Sequence, residues 1–485
     1  MDYEAVIGLE IHVQLNSPTK LFCDCPNRPG DRPNQNTCPI CLWLPGALPR
    51  VSLAAVEKAV LTGLALNCEI QHRSAFDQKV YYYPDLPKGF QLSQFHKPLA
   101  RNGWLDIVGE DGRPKRIGLR EIHMEEDVAK LVHETEGSKR ISLVDFNRAG
   151  APLVEIVTEP DMRSPHDAME FLRTLRTQLR YAGTAECSME RGTLRADANI
   201  SLRPRGSDQL NTKVEVKNMN SIRHVGDAIV HEIKRQTERL DAGEPIRLHT
   251  RLWDPVKGVT TPMRGKFSGP CLPDPSVPAI VISDEHLEEM RARLPMMPAQ
   301  KREQFVKQYK LSQEEAALMS AERDVAEYFE AVAGACQSPR TPLHWIASQL
   351  LPTLKERDQS LSDTPVTPER LAGLLTMIET GEITANVAKE VLTLLFDSDQ
   401  TAAQIVEQRG FKQVTDTAEL EAIVDQLLAA NQDAVQNFRK GKKQALVFLV
   451  GQVMRASQGK ANPQLVRKII DSKLAYSESA TSQQV

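Results

Sequence analysis

Val6-Ile7-Gly8-Leu9-Glu10-Ile11-His12-Val13-Gln14-Leu15 alternates apolar and polar residues without a break. Successive strand side chains point to opposite faces, so Ile7, Leu9, Ile11, Val13 and Leu15 build a core while Glu10, His12 and Gln14 face away from it. That second face sets a carboxylate and an imidazole about 7 Å apart along one strand, close enough to lean toward one ion. A merely solvated sheet surface has the same pattern. Acids recurring on other strands would separate the two readings.

Acids do recur. Within residues 119–128, Leu119, Glu121, His123 and Glu125 share one face, and Glu126 and Asp127 follow. Residues 153–159 bring Glu155, Val157 and Glu159 together, residues 194–202 set Arg195, Asp197, Asn199 and Ser201 against an apolar row, and residues 212–219 add Lys213, Glu215 and Lys217. Residues 141–146 read as one more strand. Strands with one apolar and one acidic face predict an α+β fold, in which an antiparallel sheet is covered by helices on one side and open as a cleft on the other. Covering helices are legible at residues 51–66, after Ser164-Pro165, where Phe171, Leu172, Leu175 and Leu179 form a stripe, and from Ser221 to about Asp241.

Cys23 and Cys25, then Cys38 and Cys41, form two short chelating turns joined by a proline-rich loop, a spacing that suits four thiolates around a structural zinc ion. Tyr81-Tyr82-Tyr83-Pro84 reads either as a half-buried strand edge or as the wall of a nucleotide pocket, with Lys79 or Lys88 reaching phosphate. Carboxylates on an open sheet suit Mg2+ bound with nucleotide phosphates. Neither a G-x-x-x-x-G-K-[ST] nor a G-x-G-x-x-G run occurs, so phosphoryl transfer would be templated by metal on strands. Such a site suits activation of a carboxylate by ATP to an acyl phosphate that an amine attacks.

The chain has 485 residues, 41% hydrophobic and 26% charged, with a net charge of -4, room for two to four domains and no bulk charge that implies a partner. Sparse cysteines, an acidic amino terminus and no apolar run of membrane length predict a cytoplasmic chain without a membrane partner. Prolines and glycines across residues 255–278 mark a boundary, giving a catalytic domain at 1–283, a helical domain at 284–400, a tail at 401–477 and disordered residues 478–485. Arg439, Lys440, Lys442, Lys443, Arg455, Lys460, Arg467 and Lys468 follow one another with no acid between the first and the last, a pattern that reads as the footprint of phosphate contacts with a folded RNA or, alternatively, as a solvated helix face. No glycine-serine-rich amidase run occurs, so any ammonia must come from a partner.

Residues 7–14, Tyr83-Pro84-Asp85-Leu86-Pro87-Lys88-Gly89, His123-Met124-Glu125-Glu126-Asp127, residues 152–161, residues 194–201, Gly451-Gln452-Val453-Met454 and Gly459-Lys460-Ala461-Asn462-Pro463 resemble the B subunits of the aspartyl/glutamyl-tRNA amidotransferase family over nearly the whole chain. The resemblance implies a cradle-shaped domain of glutamine-synthetase-like topology, a helical domain and a tRNA-binding tail. It also implies ATP- and Mg2+-dependent amidation of Glu-tRNA(Gln) and Asp-tRNA(Asn), in a heterotrimer with an amidase A subunit and a small C subunit. Carried over by motif, Glu10, His12, Glu125 and Glu155 match the catalytic and Mg2+ site, Lys79 and Asp197 lie near the ATP, and Cys23, Cys25, Cys38 and Cys41 match the zinc ligands.

Two departures stand out. Trp43 replaces the family's usual glycine after the last cysteine, and residues 263–278 lack the usual Asp-Tyr-Arg-Tyr-Phe-Pro. The rival readings are a noncatalytic tRNA-binding scaffold and a free-standing carboxylate-amine ligase, the latter disfavoured by the basic tail.

Overall fold

The computed structural model describes residues 2–28, 30–263, 269–411, 417–439, 443–457, 461 and 463–481. Its strands are β1 (Tyr3–Gln14), β2 (Glu69–Ile70), β3 (Arg73–Val80), β4 (Phe90–Lys97), β5 (Ala100–Val108), β6 (Pro114–Glu126), β7 (Lys130–Glu136), β8 (Lys139–Asp145), β9 (Pro152–Thr158), β10 (Leu194–Pro204), β11 (Val214–Met219), β12 (His249–Asp254), β13 (Val259–Pro262), β14 (Cys271–Pro273) and β15 (Ile280–Val281).

Strand β1 runs through a nine-stranded sheet ordered β13-β12-β11-β10-β1-β9-β6-β5-β2. Its inner residues Ile7, Leu9, Ile11, Val13 and Leu15 are almost wholly buried, as their alternation requires. They join one core with helix α1 (Leu53–Ala65) and with Phe171, Leu172, Leu175 and Leu179 of α2 (Pro165–Tyr181) and Val225 and Ile229 of α3 (Ile222–Asp241). Ser164 and Ser221 cap α2 and α3 by accepting from the Asp167 and His224 amides, satisfying donors that the first helical turn leaves free.

The structure corrects the sequence reading of the main sheet in three places. The sheet is mixed, because α3 carries the chain from β11 to a parallel β12, and parallel neighbours need such a crossover. Leu119 lies with the core, not with Glu121, His123 and Glu125, because a bulge between Leu119 and Glu121 reverses the alternation in β6. Strands β7 and β8 pair only with each other, as a separate ribbon outside the sheet.

A smaller sheet forms on β3, which pairs with β4, β14 and β15, all antiparallel. It stands against the acidic end of β6, where the Leu92 amide donates to Glu126 at 2.8 Å and Gln94 Oε1 accepts from the Met124 amide at 2.9 Å. The proline-rich stretch thus contains two short strands, β13 and β14, each at the edge of a sheet; Pro262 and Pro273 sit in them, where a missing donor is tolerated.

The chain divides into two compact units, Met1–Gln300 and Lys301–Val485. The first reaches beyond residue 283 because α4 (Asp284–Arg293) places Leu287 and Met290 in its core and ties Arg293 to Glu57 at 2.8 Å. In the second unit the helix expected over residues 342–355 is interrupted by a π turn, Ile346–Leu350, just ahead of Pro352, whose missing N–H cannot continue the α ladder. Helix Ala402–Arg409 packs on Pro368–Glu379 and Ala385–Phe396, whereas Leu420, Val424, Leu449, Val453, Val466 and Ile470 belong to a separate core of the tail. The last helix, Pro463–Thr481, enters the stretch 478–485.

Candidate active site

The ladder decides which acids meet. His12 on β1 stands opposite Glu155 on β9, and Glu155 stands opposite His123 on β6, two residues before Glu125. Each of these side chains falls on the open face, and one ligand atom each from His12, Glu125 and Glu155 lies within 4.8 Å of the other two. Glu125 is the most enclosed of the three, 1% exposed, and its orientation is fixed from the smaller sheet. Ser93 Oγ donates to it at 2.6 Å and Gln91 Nε2 at 3.3 Å, while Gln91 also reaches the Glu126 carbonyl at 2.7 Å.

Lys79 on β3 faces this group. Burial pulls its pKa down, but the charges of Glu125 and Glu155 outweigh that and raise it, so the ammonium persists. Burial lowers the His12 pKa, with help from Arg195 and Lys79, leaving the imidazole neutral and able to ligate. Glu125 is lowered, since Lys79, His12 and the Ser93 hydrogen bond overcome its burial. Glu155 is raised well above the carboxylate range by burial and by the Glu125 charge beside it. Two crowded carboxylates that retain a proton between them, next to a neutral imidazole, make a donor set that fits an oxygen-seeking divalent cation.

Other expected site residues have different surroundings. Glu10 is absent from the three-residue group; its carboxylate accepts from Asn199 at 2.9 Å and lines an adjoining pocket of about 210 Å³ with Gly8, Arg120, Thr158, Ser201 and Lys213. Asp197 is paired with Lys217, which also reaches Glu215 at 2.8 Å. Lys88 forms a buried ion pair with Glu126. Of the three tyrosines, which lie beyond the end of β3, Tyr81 supports the site by donating to Gln91 at 3.0 Å, while Tyr82 and Tyr83 are exposed. Sequence reasoning missed Gln91 and Ser93, although their alternate positions in 90–97 place them on one face.

The four cysteines do converge. The Sγ atoms of Cys23, Cys25, Cys38 and Cys41 lie within 4.8 Å of one another, and none is in a disulfide. Tetrahedral zinc with bonds of about 2.3 Å needs sulfurs roughly 3.8 Å apart, so the cluster fits. The Cys41 thiol is pulled down to about 5 by a hydrogen bond with Cys23, the Cys38 amide and the Lys20 charge, while burial pushes Cys25 up to about 12.

In the tail, Arg455, Arg467 and Lys468 are exposed. Arg439 and Lys443 belong to helices Gln432–Arg439 and Lys443–Ala456, while Lys440, Lys442 and Lys460 lie outside the described residues, as do 264–268 of the divergent loop. The described end of that loop still reaches the site, for Cys271 pairs with Lys79 across β14 and β3.

The family model described as "GatB/GatE catalytic domain" matches residues 5–288, and that described as "GatB domain" matches residues 327–474. Among curated relatives, a B subunit of aspartyl/glutamyl-tRNA(Asn/Gln) amidotransferase from Syntrophus aciditrophicus is 63% identical over 98% of this chain and 99% of its own length. The B subunits from Geobacter sulfurreducens and Carboxydothermus hydrogenoformans are 45% and 44% identical, each over 98% of this chain and 100% and 99% of their own lengths.

Proposed function

This chain belongs to the family of aspartyl/glutamyl-tRNA(Asn/Gln) amidotransferase B subunits, ligases with glutamine as amido donor, and on that premise we propose that its open sheet face activates the side-chain carboxylate of a charged tRNA with ATP. A carboxylate oxygen of Glu-tRNA(Gln), or of Asp-tRNA(Asn), attacks the γ-phosphorus and ADP departs. Ammonia then attacks the acyl phosphate carbon; phosphate leaves with the bonding electrons, and the nitrogen loses a proton to solvent.

One observation carries this reading: His12, Glu125 and Glu155 converge beneath a Lys79 that stays charged. Those three residues would hold Mg2+, which supplies charge neutralisation at the transferring phosphoryl group. Lys79 places a second positive charge on the same oxygens, and Ser93 and Gln91 keep Glu125 from rotating. The pocket beside Glu10 begins about 7 Å along β1 from His12, roughly the reach of a triphosphate, and its Arg120 and Lys213 suit the nucleotide.

Ammonia is delivered by a partner amidase A subunit, with a small C subunit completing a heterotrimer in the cytoplasm. The tail binds tRNA through its basic residues, of which Arg455, Arg467 and Lys468 are exposed. Zinc at the four cysteines is structural. No described helix is long and apolar enough to cross a membrane.

The test is phosphorylation of Glu-tRNA(Gln) and Asp-tRNA(Asn) by this chain copurified with its partners, with Glu125→Ala and His12→Ala alongside. Loss of acyl phosphate in both variants with tRNA binding retained is expected. A wild type that phosphorylates neither charged tRNA sinks the assignment and leaves the scaffold reading.

A further inference from the structure

Among its described residues the loop between Cys25 and Cys38 has no helix or strand, yet it grips the end of β8 and the two residues after it through five direct hydrogen bonds. The Asn34 amide donates to Asp145 Oδ1 at 3.0 Å and its Nδ2 to the Val144 carbonyl at 3.1 Å, while its Oδ1 accepts from the Phe146 amide at 2.7 Å. Asn147 Nδ2 donates to the Arg32 carbonyl at 2.7 Å, and the Asn36 amide donates to Asn147 Oδ1 at 2.8 Å. Lys20 lies between the two, wholly buried. Its ammonium donates to the Asn36 carbonyl of the loop at 2.8 Å and to the Phe146 carbonyl of the ribbon base at 3.1 Å, and it lies 3.6 Å from Cys41 Sγ.

A buried ammonium is costly without an anion, and the four-cysteine cluster is the anion within its reach. A metal held by the four sulfurs ties both ends of the loop together, so metal occupancy fixes the shape of the loop to which Lys20 joins the ribbon base. The ribbon needs such a fixture. A two-stranded hairpin outside the sheet is marginal alone, and most of its residues are exposed. At the same base its other strand, β7, follows β6 by way of Asp127, two residues beyond Glu125, and Asp127 is paired with Arg195 at 2.9 Å and with Arg148 at 3.5 Å.

We infer that Lys20 is a positioning residue that couples metal occupancy at Cys23, Cys25, Cys38 and Cys41 to the position of the β7–β8 ribbon at the rim of the acidic site. This rests on a metal at the four cysteines and not on the kinase assignment.

The test is amide hydrogen exchange across residues 130–147 of the full chain, loaded with Co2+ and after chelation, for wild type, Lys20→Met and Asn34→Ala. The cobalt–thiolate absorption of each sample reports whether metal is bound. In wild type, chelation should speed exchange in the ribbon and its base tenfold or more while β1 and β9 stay protected. Both variants should exchange fast there with the cobalt band intact, so that chelation adds little. The Asn34 side chain touches none of the four sulfurs, so that variant carries the test if Lys20→Met fails to fold or to hold metal. Unchanged ribbon exchange on chelation, or a metal-loaded Asn34→Ala as protected as wild type, overturns the coupling. A wild type without a cobalt–thiolate band overturns it together with the metal reading, and leaves the acidic site untouched.

Discussion

His12 Nδ1 lies 3.6 Å from Glu125 Oε2 although their strands are not neighbours, because β9 runs between β1 and β6 and both side chains lean over Glu155. The imidazole and the two carboxylates therefore titrate as one group, and a cation placed among them replaces a proton. The pH dependence of the metal-free protein follows. Glu155 is raised above its ordinary 4.5, so its contribution to stability is fully present below that value and is lost as pH rises toward the raised pKa. His12 acts oppositely, but its contribution is complete above its ordinary 6.5. Between pH 6.5 and 8, melting temperature in chelator should fall with rising pH in wild type and stay flat in Glu155→Gln, and Mg2+ should remove most of the wild-type slope. An identical slope in Glu155→Gln would remove Glu155 as its source.

Lys79→Met tests the other charge over the site. Removing one preorganised charge from a transferring phosphoryl group costs roughly 10²–10³ in rate. Single-turnover phosphorylation should fall by that factor with tRNA affinity unchanged. A loss under threefold would show that Lys79 only balances Glu125 and Glu155.

The amphipathic strands were legible because one sheet face is dry and the other open, so β1, β9 and β10 declared themselves by alternation alone. Choosing Glu125 and Glu155 from the other acids was a matter of register between separated strands, which no single strand encodes; there the family resemblance supplied the choice. The bulge that turns Leu119 inward is a local break of phase, invisible when a whole strand is read with one period. The proline-rich stretch misled because β13 and β14 are short strands fixed by tertiary pairing. Gln91 and Ser93 lay on one face of a strand too mixed in polarity to announce a site.

Trp43 occupies a left-handed backbone conformation, φ 54°, that suits glycine. Its ring stands edge-on to Phe90 at 5.3 Å and lies 5.1 Å from the Lys88 ammonium. The strain is about 1–2 kcal/mol, and the aromatic and cation contacts recover roughly as much. Trp43→Gly should leave the melting temperature within a few degrees of wild type. Trp43→Ala keeps the strain without the ring and should be the less stable of the two by about 1 kcal/mol. The reverse order would mean that the backbone relaxes once the ring is gone.

Arg455 is exposed on the outer side of a helix whose Leu449 and Val453 belong to the tail's core, so its charge is available to solvent without disturbing packing. A phosphate contact of that kind contributes affinity but little sequence choice, and each one lost lowers the salt dependence of binding by about one. Arg455→Gln should weaken binding of Glu-tRNA(Gln) and of a noncognate tRNA by similar factors and flatten the plot of log affinity against log salt. Because the acidic site lies in the other unit, phosphorylation at saturating tRNA should keep its wild-type rate. Unchanged affinity and slope would assign Arg455 to a solvated face, and the remaining basic residues of the tail would then have to carry the RNA contact without it.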